Sequence, residues 1–418
     1  MQTNNYICIL MTSLTLIIIL FILAEYVLDW YLDRLDAASW QKPIPTELEG
    51  IYDQTKYQEA QAYHKDKKKI GRITSIFSTS LLLAMLFWGG FAYLQTVVAT
   101  ITHNELLQGI LYFGILALAS DILSLPLSLY NIFVIEEKYG FNKMSVATFI
   151  IDKIKGWILG GLIGGAIYAA IYYFYLLAGS YFWIYAWIFI TIFSLFMTAF
   201  YTSLIVPLFN KLSPLEEGTL KAKIDAFALK AGFPLHRISV IDGSKRSTKA
   251  NAYFSGIGPR KSIVLYDTLI QDHNEDELVS ILAHEVGHYK LKHIKQGIVI
   301  SILNTGILLY LLSLCVGSPA FSAALGVQTP IFHIGLIAFS LLYSPVSMLT
   351  GILSNIISRK NEYEADNFAK TYTGADDMIA ALKKLHANTL SNLNPHPWYI
   401  FFHYSHPSLL QRVRALMA

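Results

Sequence analysis

The chain has 418 residues, of which 54% are hydrophobic and only 15% are charged. Soluble domains carry about 25% charged residues, so this composition excludes an ordinary soluble protein, and the apolar content excludes disorder. Two cysteines exclude a disulfide scaffold, and a net charge of +3 is too small to indicate a nucleic-acid partner. A membrane protein with some soluble mass remains.

Crossing a bilayer takes about 20 apolar residues, and seven stretches of the sequence are long enough. They lie at about 6–28, 73–98, 106–134, 157–177, 181–207, 297–316 and 331–357. No Lys or Arg precedes the first stretch, and it ends in Glu25 and Asp29 rather than a small-residue cleavage site. We therefore interpret it as a transmembrane helix and not as a signal peptide. The sequence predicts a mainly α fold built on a bundle of seven transmembrane helices.

The basic residues predict how this bundle lies in the membrane. All 32 Lys and Arg residues fall in four segments: 29–72, 135–156, 208–296 and 358–418. The positive-inside rule places these segments in the cytoplasm and the N-terminus outside. The chain then divides into a membrane domain of five helices (1–207), a long cytosolic segment (208–296), two further transmembrane helices (297–357) and a cytosolic tail (358–418).

The two long cytosolic segments carry predicted elements of their own. Ser213 and Pro214 open a capping-box pattern, which predicts that a helix begins there and ends near Gly232. Short strands are predicted at 238–241, 251–254 and 262–266, and together they indicate a small β-sheet. Further helices are predicted from about 274 to 293, near 359–372 and near 375–390.

The predicted helix that ends near 293 contains an H-E-x-x-H sequence, formed by His284, Glu285 and His288. Residues four apart share a helix face, so the two imidazoles can bind one metal ion, while Glu285 lies one step round the helix. Zinc lowers the pKa of a bound water to about 7, and a neighbouring carboxylate can accept its proton. This spacing is typical of a metallopeptidase. The alternative is a soluble helix with two solvated histidines.

A catalytic zinc site needs a third protein ligand. Leu291 and Ile294 stand where metzincins have Gly and His, so that class is excluded. In the tail, Glu362 and Asp366 lie four residues apart on the same predicted side of the membrane as the two histidines. We predict Glu362 as the third ligand and Asp366 as a hydrogen-bond partner of one histidine, and we interpret Glu364 as a solvated surface group. An ordinary polar helix face is the alternative.

These motifs and several further stretches resemble the membrane-integral zinc CaaX prenyl endopeptidase family, the type I CaaX proteases, over nearly the whole chain. In the catalytic half, the resemblance lies in the H-E-x-x-H sequence, residues 361–366 (Asn-Glu-Tyr-Glu-Ala-Asp), residues 250–256 (Ala-Asn-Ala-Tyr-Phe-Ser-Gly), and residues 403–407 with Arg412. In the N-terminal half, it lies in Tyr57, Tyr63, Asp66-Lys67 and residues 137–141 (Glu-Lys-Tyr-Gly-Phe).

The resemblance implies a fold and a set of roles at the metal. The fold is a seven-helix bundle with a cytosolic zincin-type metalloprotease domain that contains the small β-sheet. One zinc ion per chain is expected on His284, His288 and Glu362, with Glu285 as the general base. His406 matches a family histidine that helps to stabilise the tetrahedral oxyanion, and a capping or fold role is its alternative.

The resemblance also implies a substrate site. Asn251, Ala252 and Tyr253 belong to the strand that is expected to pair with an extended peptide, and main-chain pairing of this kind holds a peptide without reading its sequence. Arg412 is expected to bind an acidic group near the site, with a surface ion pair as the alternative.

The function implied by the resemblance is that of a zinc metalloendopeptidase that cleaves C-terminal CaaX peptides after an isoprenylated Cys. Its expected partners are a peptide or protein substrate and membrane lipid. A membrane quality-control endopeptidase without need of prenylation is one alternative, and a non-enzymatic seven-helix transporter or receptor is another. Short outer loops and a C-terminus without a di-lysine signal favour a bacterial inner membrane over the endoplasmic reticulum.

Overall fold

The fold is mainly helical, as the sequence predicts, and a computed structural model describes residues 12–233, 237–256 and 262–418. The beginning of the predicted span 6–28 lies outside the described residues. In the N-terminal half, the helices are α1 (Ser13–Ser39), α2 (Gln54–Phe87), α3 (Gly90–Ile101), α4 (Glu105–Tyr130), α5 (Val146–Ala178) and α6 (Phe182–Leu204). A π-helix, Asn131–Glu136, continues α4.

The C-terminal half mixes short strands with helices. Its strands are β1 (Leu212–Pro214), β2 (Ile238–Ile241), β3 (Ala252–Ser255) and β4 (Ser262–Tyr266). The helices up to the last long apolar one are α7 (Val206–Phe209), α8 (Thr219–Lys230), α9 (Asp267–Asp272), α10 (Glu275–Lys290) and α11 (His293–Cys315). The remaining helices are α12 (Pro319–Ala324), α13 (Phe332–Leu342), α14 (Ser344–Thr373), α15 (Ala375–Ala387), α16 (Pro397–His403) and α17 (Leu409–Met417).

Within the described ranges, five helical segments are long and apolar enough to cross a membrane: Ser13–Ser39, Gln54–Phe87, Glu105–Glu136, Val146–Phe209 and His293–Cys315. The pair α13 and α14 adds a sixth if its bend of 54° lies within one span. The predicted number of seven is higher because segment Val146–Phe209 counts once, although a 3-10 turn at Gly179–Tyr181 separates α5 from α6. The seven-span arrangement stays a prediction.

The four strands form one small mixed sheet in the order β1-β2-β4-β3. The pair β2 and β4 is parallel, whereas β1 and β3 run antiparallel to their neighbours. The position of β3 at the end of this order leaves one of its edges without a strand partner among the described residues. All three predicted strands are confirmed within a residue or two.

The predicted helix start at Ser213 is wrong. Ser213 pairs with Val240 and Pro214 with Ser239, so both residues belong to β1, and the helix begins at Thr219 instead. Proline is tolerated on the outermost strand of a sheet, where its missing N–H breaks no ladder hydrogen bond. Pairing with a distant strand has therefore overridden a local capping signal.

Helix α10 begins with a capping box, and its charged end residues complement the helix dipole. The Asn274 side chain and Glu277 form a reciprocal capping box, and the first turn is acidic while the last turn carries His288 and Lys290. Both features complement the helix dipole. Nearly every side chain from 277 to 287 is buried, because α8, α14 and α15 surround the helix. The H-E-x-x-H helix is thus largely buried between these three helices.

Glu136, at the end of the π-helix, ties the membrane helices to the sheet region. Its carboxylate accepts hydrogen bonds from Lys67 and Tyr63 of α2 and from Lys249, which precedes β3, all at 2.8 Å. A carboxylate with three donors from two parts of the chain fixes their separation. This contact sets the position of β3 relative to α2.

Candidate metal centre

Three side chains predicted as ligands meet at one point. His284 and His288 lie on one face of α10, with their Nε2 atoms 3.1 Å apart. Glu362 comes from α14, and its Oε1 lies 3.2 Å from Nε2 of His288 while its Oε2 lies 3.5 Å from Nε2 of His284. One ligand atom from each residue falls within 4.8 Å of the others.

Gly287 is the reason α14 can come this close to α10. A Cβ atom at this position would lie 3.1 Å from Cβ of Phe368 and 3.2 Å from Cα of Ala365. These distances are shorter than ordinary van der Waals contact, so a larger residue would push the two helices apart. The small residue inside the H-E-x-x-H sequence therefore helps to bring Glu362 to the histidines.

Asp366 lies one helical turn beyond Glu362 and orients His284. Its Oδ1 lies 2.9 Å from Nδ1 of His284, so this imidazole donates its Nδ1–H to the carboxylate and directs its Nε2 towards Glu362. The other side of Asp366 is occupied by Arg412 of α17, which donates at 2.8 and 2.6 Å. Arg412 is 8% exposed, and its Nη1 also lies 3.5 Å from Oε2 of Glu362.

The electrostatic field of this cluster favours a positive charge. Burial by itself lowers the pKa of His284, but the neighbouring carboxylates of Asp366 and Glu362 outweigh it and raise the pKa to about 9. A metal ion that displaces the proton meets the same two carboxylates, and metal binding to histidine is coupled to proton release in this way.

The donor set fits a metal ion, and it fits zinc in particular. Oε2 of Glu362 is buried and has no hydrogen-bond partner among the described residues. A buried carboxylate oxygen without a donor is costly, and a bound cation removes that cost. Two imidazoles and one carboxylate are the ligands of one common class of catalytic zinc sites, which leave a fourth position open.

Glu285 and His288 also line a cleft of about 600 Å³. The other walls are the C-terminal part of α6, from Met197 to Tyr201, residues Tyr253 to Gly256 of β3 and its end, and Ile294. We call this space the edge cleft. Burial raises the pKa of Glu285, which brings its carboxyl nearer to the range of a general base that works near neutral pH.

His406 lies at the rim of the metal centre. Its Nε2 lies 3.4 Å from Oε1 of Glu362, its Nδ1 lies 2.9 Å from Oγ of Ser405, and 61% of its side chain is exposed. The sequence places this histidine far from the H-E-x-x-H sequence, and the structure brings the two together.

The strand residues predicted to bind substrate lie beside the same cluster. Tyr253 lines the edge cleft, whereas the exposed Asn251 precedes it and accepts a hydrogen bond from the N–H of Ala252 through its side chain. Arg412, predicted to bind an acidic group, has its guanidinium directed at Asp366 and Glu362 of this chain. The substrate roles of these four residues stay predictions.

Two further residues belong to the cluster and were missed by the motif argument. Nδ1 of His293 lies 3.1 Å from Nδ1 of His288, and Nε2 of His293 lies 3.0 Å from Oε2 of Glu364. Glu364 is exposed, with 44% of its side chain accessible, as expected of a surface group, and it also contacts His293. The signal that could have found His293 is its place five residues after His288, directly after the helix end.

Comparison with known proteins gives concordant matches along the chain. Residues 34–211 match the family model "CAAX prenyl protease N-terminal, five membrane helices", and residues 214–418 match "Peptidase family M48". The chain is 38% identical over 412 residues to the CAAX prenyl protease 1 homolog of Oryza sativa subsp. japonica, with 96% of each chain covered. It is 33% identical to CAAX prenyl protease 1 of Saccharomyces cerevisiae, with 96% of this chain and 94% of that protein covered.

A solved structure agrees with these relatives. The crystal structure of S. mikatae Ste24p superposes with a TM-score of 0.91 at 32% identity, covering 97% of this chain and 99% of the other. Peptidase matches of this extent show that the transporter or receptor alternative is wrong. With its His–His–Glu cluster, its membrane helices and its matches in both halves, the chain belongs to the CAAX prenyl protease 1 family of M48 metallopeptidases.

Proposed function

We propose that the chain is a zinc-dependent membrane endopeptidase that cleaves C-terminal CaaX peptides after a prenylated Cys. One observation carries the proposal: an edge strand, Glu285 and His288 line the same cleft beside the His–His–Glu cluster. The names of the matched relatives supply the substrate class.

The metal-centre residues have distinct roles in this proposal. A zinc ion held by His284, His288 and Glu362 would polarise the scissile carbonyl and lower the pKa of a water molecule. Glu285 accepts the proton of the attacking water and then delivers a proton to the leaving amine. The raised pKa of Glu285 suits both steps, because a carboxylate that is too weak a base would not take the proton.

His406 and Arg412 act on opposite sides of Glu362. We assign the exposed His406 to the oxyanion, since its Nε2 faces the metal centre and Ser405 contacts its other ring nitrogen. Arg412 is buried and paired with Asp366, so we assign it to the support of His284 rather than to substrate. We do not assign Arg412 to a substrate carboxylate, because two carboxylates of the chain, Asp366 and Glu362, already contact its guanidinium.

The edge of β3 is the proposed peptide site. The Tyr266 N–H donates to the carbonyl of Asn251, and β3 pairs with β4 from Ala252 onward. Alternate residues of an antiparallel strand point their N–H and C=O groups to opposite sides, so Ala252 and Phe254 present theirs to the free edge. An extended substrate can pair there with the carbonyl of Ala252 and the main chain of Phe254, with Asn251 and Tyr253 beside it, and pass in front of Glu285.

Space for a lipid lies next to the metal centre. A cavity of about 630 Å³ begins at His288 and His293 and extends between α11 and α14 past Asn304 to Tyr343. We place the isoprenoid of the substrate among these helices, so that the modified Cys reaches the zinc while its chain stays in an apolar setting.

The proposed membrane arrangement has seven spans, with α5 and α6 as separate spans and α13 and α14 as one. The N-terminus is outside, and the sheet, α10 and the C-terminus are cytoplasmic, in accord with the basic segments. A tag after Ala418 should resist protease added to right-side-out vesicles, whereas an N-terminal tag should be digested. The choice of a bacterial inner membrane over the endoplasmic reticulum stays a prediction.

A pair of matched peptides tests the function. The purified protein should cleave a farnesylated CaaX peptide after the Cys, much faster than the same peptide without the lipid, and a chelator should abolish cleavage. The Glu285→Gln variant serves as the inactive control. Equal cleavage of both peptides would instead support the quality-control endopeptidase, since pairing at a strand edge reads no side chains.

A further inference from the structure

The connection between α10 and α11 makes a sharp turn directly behind the metal centre. The N–H of Leu291 donates to the carbonyl of Gly287 at 2.9 Å and closes α10. Lys292 then takes a left-handed conformation with φ 65°, which is uncommon for a residue other than glycine. This turn returns the first residue of α11, His293, to the ring of His288.

The donors and acceptors in this group can be assigned in only one way when both rings are neutral. The carboxylate of Glu364 can only accept, so Nε2 of His293 carries a proton and donates it at 3.0 Å. Nδ1 of the neutral His293 is then an acceptor, and Nδ1 of His288, 3.1 Å away, is the donor. The remaining nitrogen of His288, Nε2, keeps its lone pair and faces Glu362.

We propose that His293 and Glu364 form a two-step positioning relay that fixes the ring orientation and the tautomer of His288 for metal binding. The inference rests on the metal centre of the proposed function. Metal-binding histidines usually donate their other N–H to a carboxylate, a carbonyl or water, and this partner sets the ring orientation. His284 has such a partner in Asp366 directly, whereas His288 reaches its carboxylate through a second imidazole.

The two supports also differ in burial, which makes the relay testable without loss of the fold. Asp366 is 1% exposed and paired with Arg412, while the Glu364 side chain is 44% exposed and its only ion-pair partner besides His293 among the described residues is Lys360, at 3.7 Å. Removal of Glu364 therefore leaves no buried charge unpaired. His293 itself is 8% exposed and needs conservative substitutions.

Asparagine and glutamine at position 293 separate a relay from a merely structural histidine. The side-chain oxygen of asparagine can stand where Nδ1 of His293 accepts from His288. Glutamine places its amide nearer to the position of Nε2, so it can donate to Glu364 but cannot accept the Nδ1–H of His288. Both substitutions replace the ring by an amide, so a packing role would be affected in similar degree by either.

The experiment measures the zinc dissociation constant of the purified full-length protein in detergent, by competition with a chromogenic chelator. His293→Gln should weaken zinc binding by about 10–100-fold, and His293→Asn should recover a large part of that loss. Glu364→Ala should weaken binding in the same direction but less, while Lys360→Gln, the control beside Glu364, should leave it unchanged. The visible spectrum of the cobalt-substituted protein should shift in His293→Gln and not in Lys360→Gln.

The outcomes separate the relay from the metal centre itself. Stoichiometric zinc in the unmodified protein, lost in His288→Ala, is expected from the proposed function, and its absence would overturn that function. Wild-type zinc affinity in His293→Gln and Glu364→Ala, with zinc still bound through His288, would overturn the relay alone. Equal weakening by His293→Asn and His293→Gln would likewise reject it and leave His293 a packing residue.

Discussion

Arg412 holds Asp366 in a bidentate ion pair, with its Nε 2.8 Å from one carboxylate oxygen and its Nη2 2.6 Å from the other. The pair is almost wholly withdrawn from solvent, and the same carboxylate accepts from Nδ1 of His284. Through Arg412, the C-terminal helix α17 thus supports the metal centre from behind Asp366, and Nη1 of Arg412 also lies 3.5 Å from Oε2 of Glu362. Asp366 and Arg412, which support the proposed ligand His284, are therefore held as firmly in place as the proposed ligands.

We expect Arg412→Met to lower the free energy of unfolding by about 3–5 kcal/mol, because it leaves the carboxylate of Asp366 buried without its partner. The double variant with Asp366→Asn should be less destabilised than the sum of the two single variants. Arg414→Met, on the same helix, is the control, since its pair with Glu47 is at the surface. Chemical unfolding in detergent compares these four variants with the unmodified protein, and equal effects at both arginines would contradict the assignment.

Variants of the proposed metal ligands should lose zinc, whereas a variant of the proposed base should keep it. His284→Ala and Glu362→Ala should lose stoichiometric zinc, whereas Glu285→Gln should keep it, because Glu285 lies off the ligand face. Turnover in Glu285→Gln should fall by about 10²–10⁴-fold, the range for loss of a general base. Metal analysis and peptide cleavage on the same samples provide the check, and full turnover in Glu285→Gln would remove this mechanism.

Pairing at the β3 edge predicts a periodic pattern in the substrate. In an extended peptide every second N–H faces the edge strand, so N-methylation should impair binding at alternate residues. Each lost hydrogen bond should cost about 1 kcal/mol, or roughly a fivefold rise in KM. A set of singly N-methylated peptides measures this, with the intervening positions as internal controls. A uniform effect along the peptide would argue against strand pairing.

His386 predicts an acid-sensitive part of the stability. Burial lowers its pKa from 6.5 to about 4, so the folded protein keeps it neutral while the unfolded chain protonates it as the pH falls. A depressed histidine pKa leaves stability unchanged above the unfolded value and lowers it below that value, and the loss between pH 7.5 and 5.5 should be about 1 kcal/mol. Unfolding at the two pH values should show a smaller difference in His386→Asn than in the unmodified protein. The exposed His103, changed to Asn, should leave the difference as it is, and an equal change in both variants would contradict the prediction.

The proposed metal ligands could be read from the sequence because their geometry is largely local. His284 and His288 share a face through helix periodicity alone, and Asn274 and Glu277 mark the start of that helix. Glu362 needed one further assumption, that the tail lies on the same side of the membrane as the H-E-x-x-H helix. The strands near 238, 252 and 262 were equally readable, since apolar β-branched runs lie between turn residues.

Other features had no local signature. Ser213 and Pro214 satisfy a helix-capping pattern, yet they form a strand because β2 is available to pair with them. Arg412 and His406 are ordinary polar residues of a tail, and only the packing of α17 and the loop before it places them at Glu362. His293 became relevant only through the left-handed turn at Lys292.

By itself the sequence determined that this is a membrane protein, that a helix carries two imidazoles on one face, and that a second acidic helix follows the last apolar stretch. Composition suffices for the membrane class, and helix periodicity suffices for the shared faces, because residues three or four positions apart determine each face. Only the tertiary structure decided which carboxylates meet which histidines and which ring nitrogens are left with lone pairs. Those contacts depend on how closely α14 packs against α10 at Gly287, and that distance is set by side chains far apart in the chain.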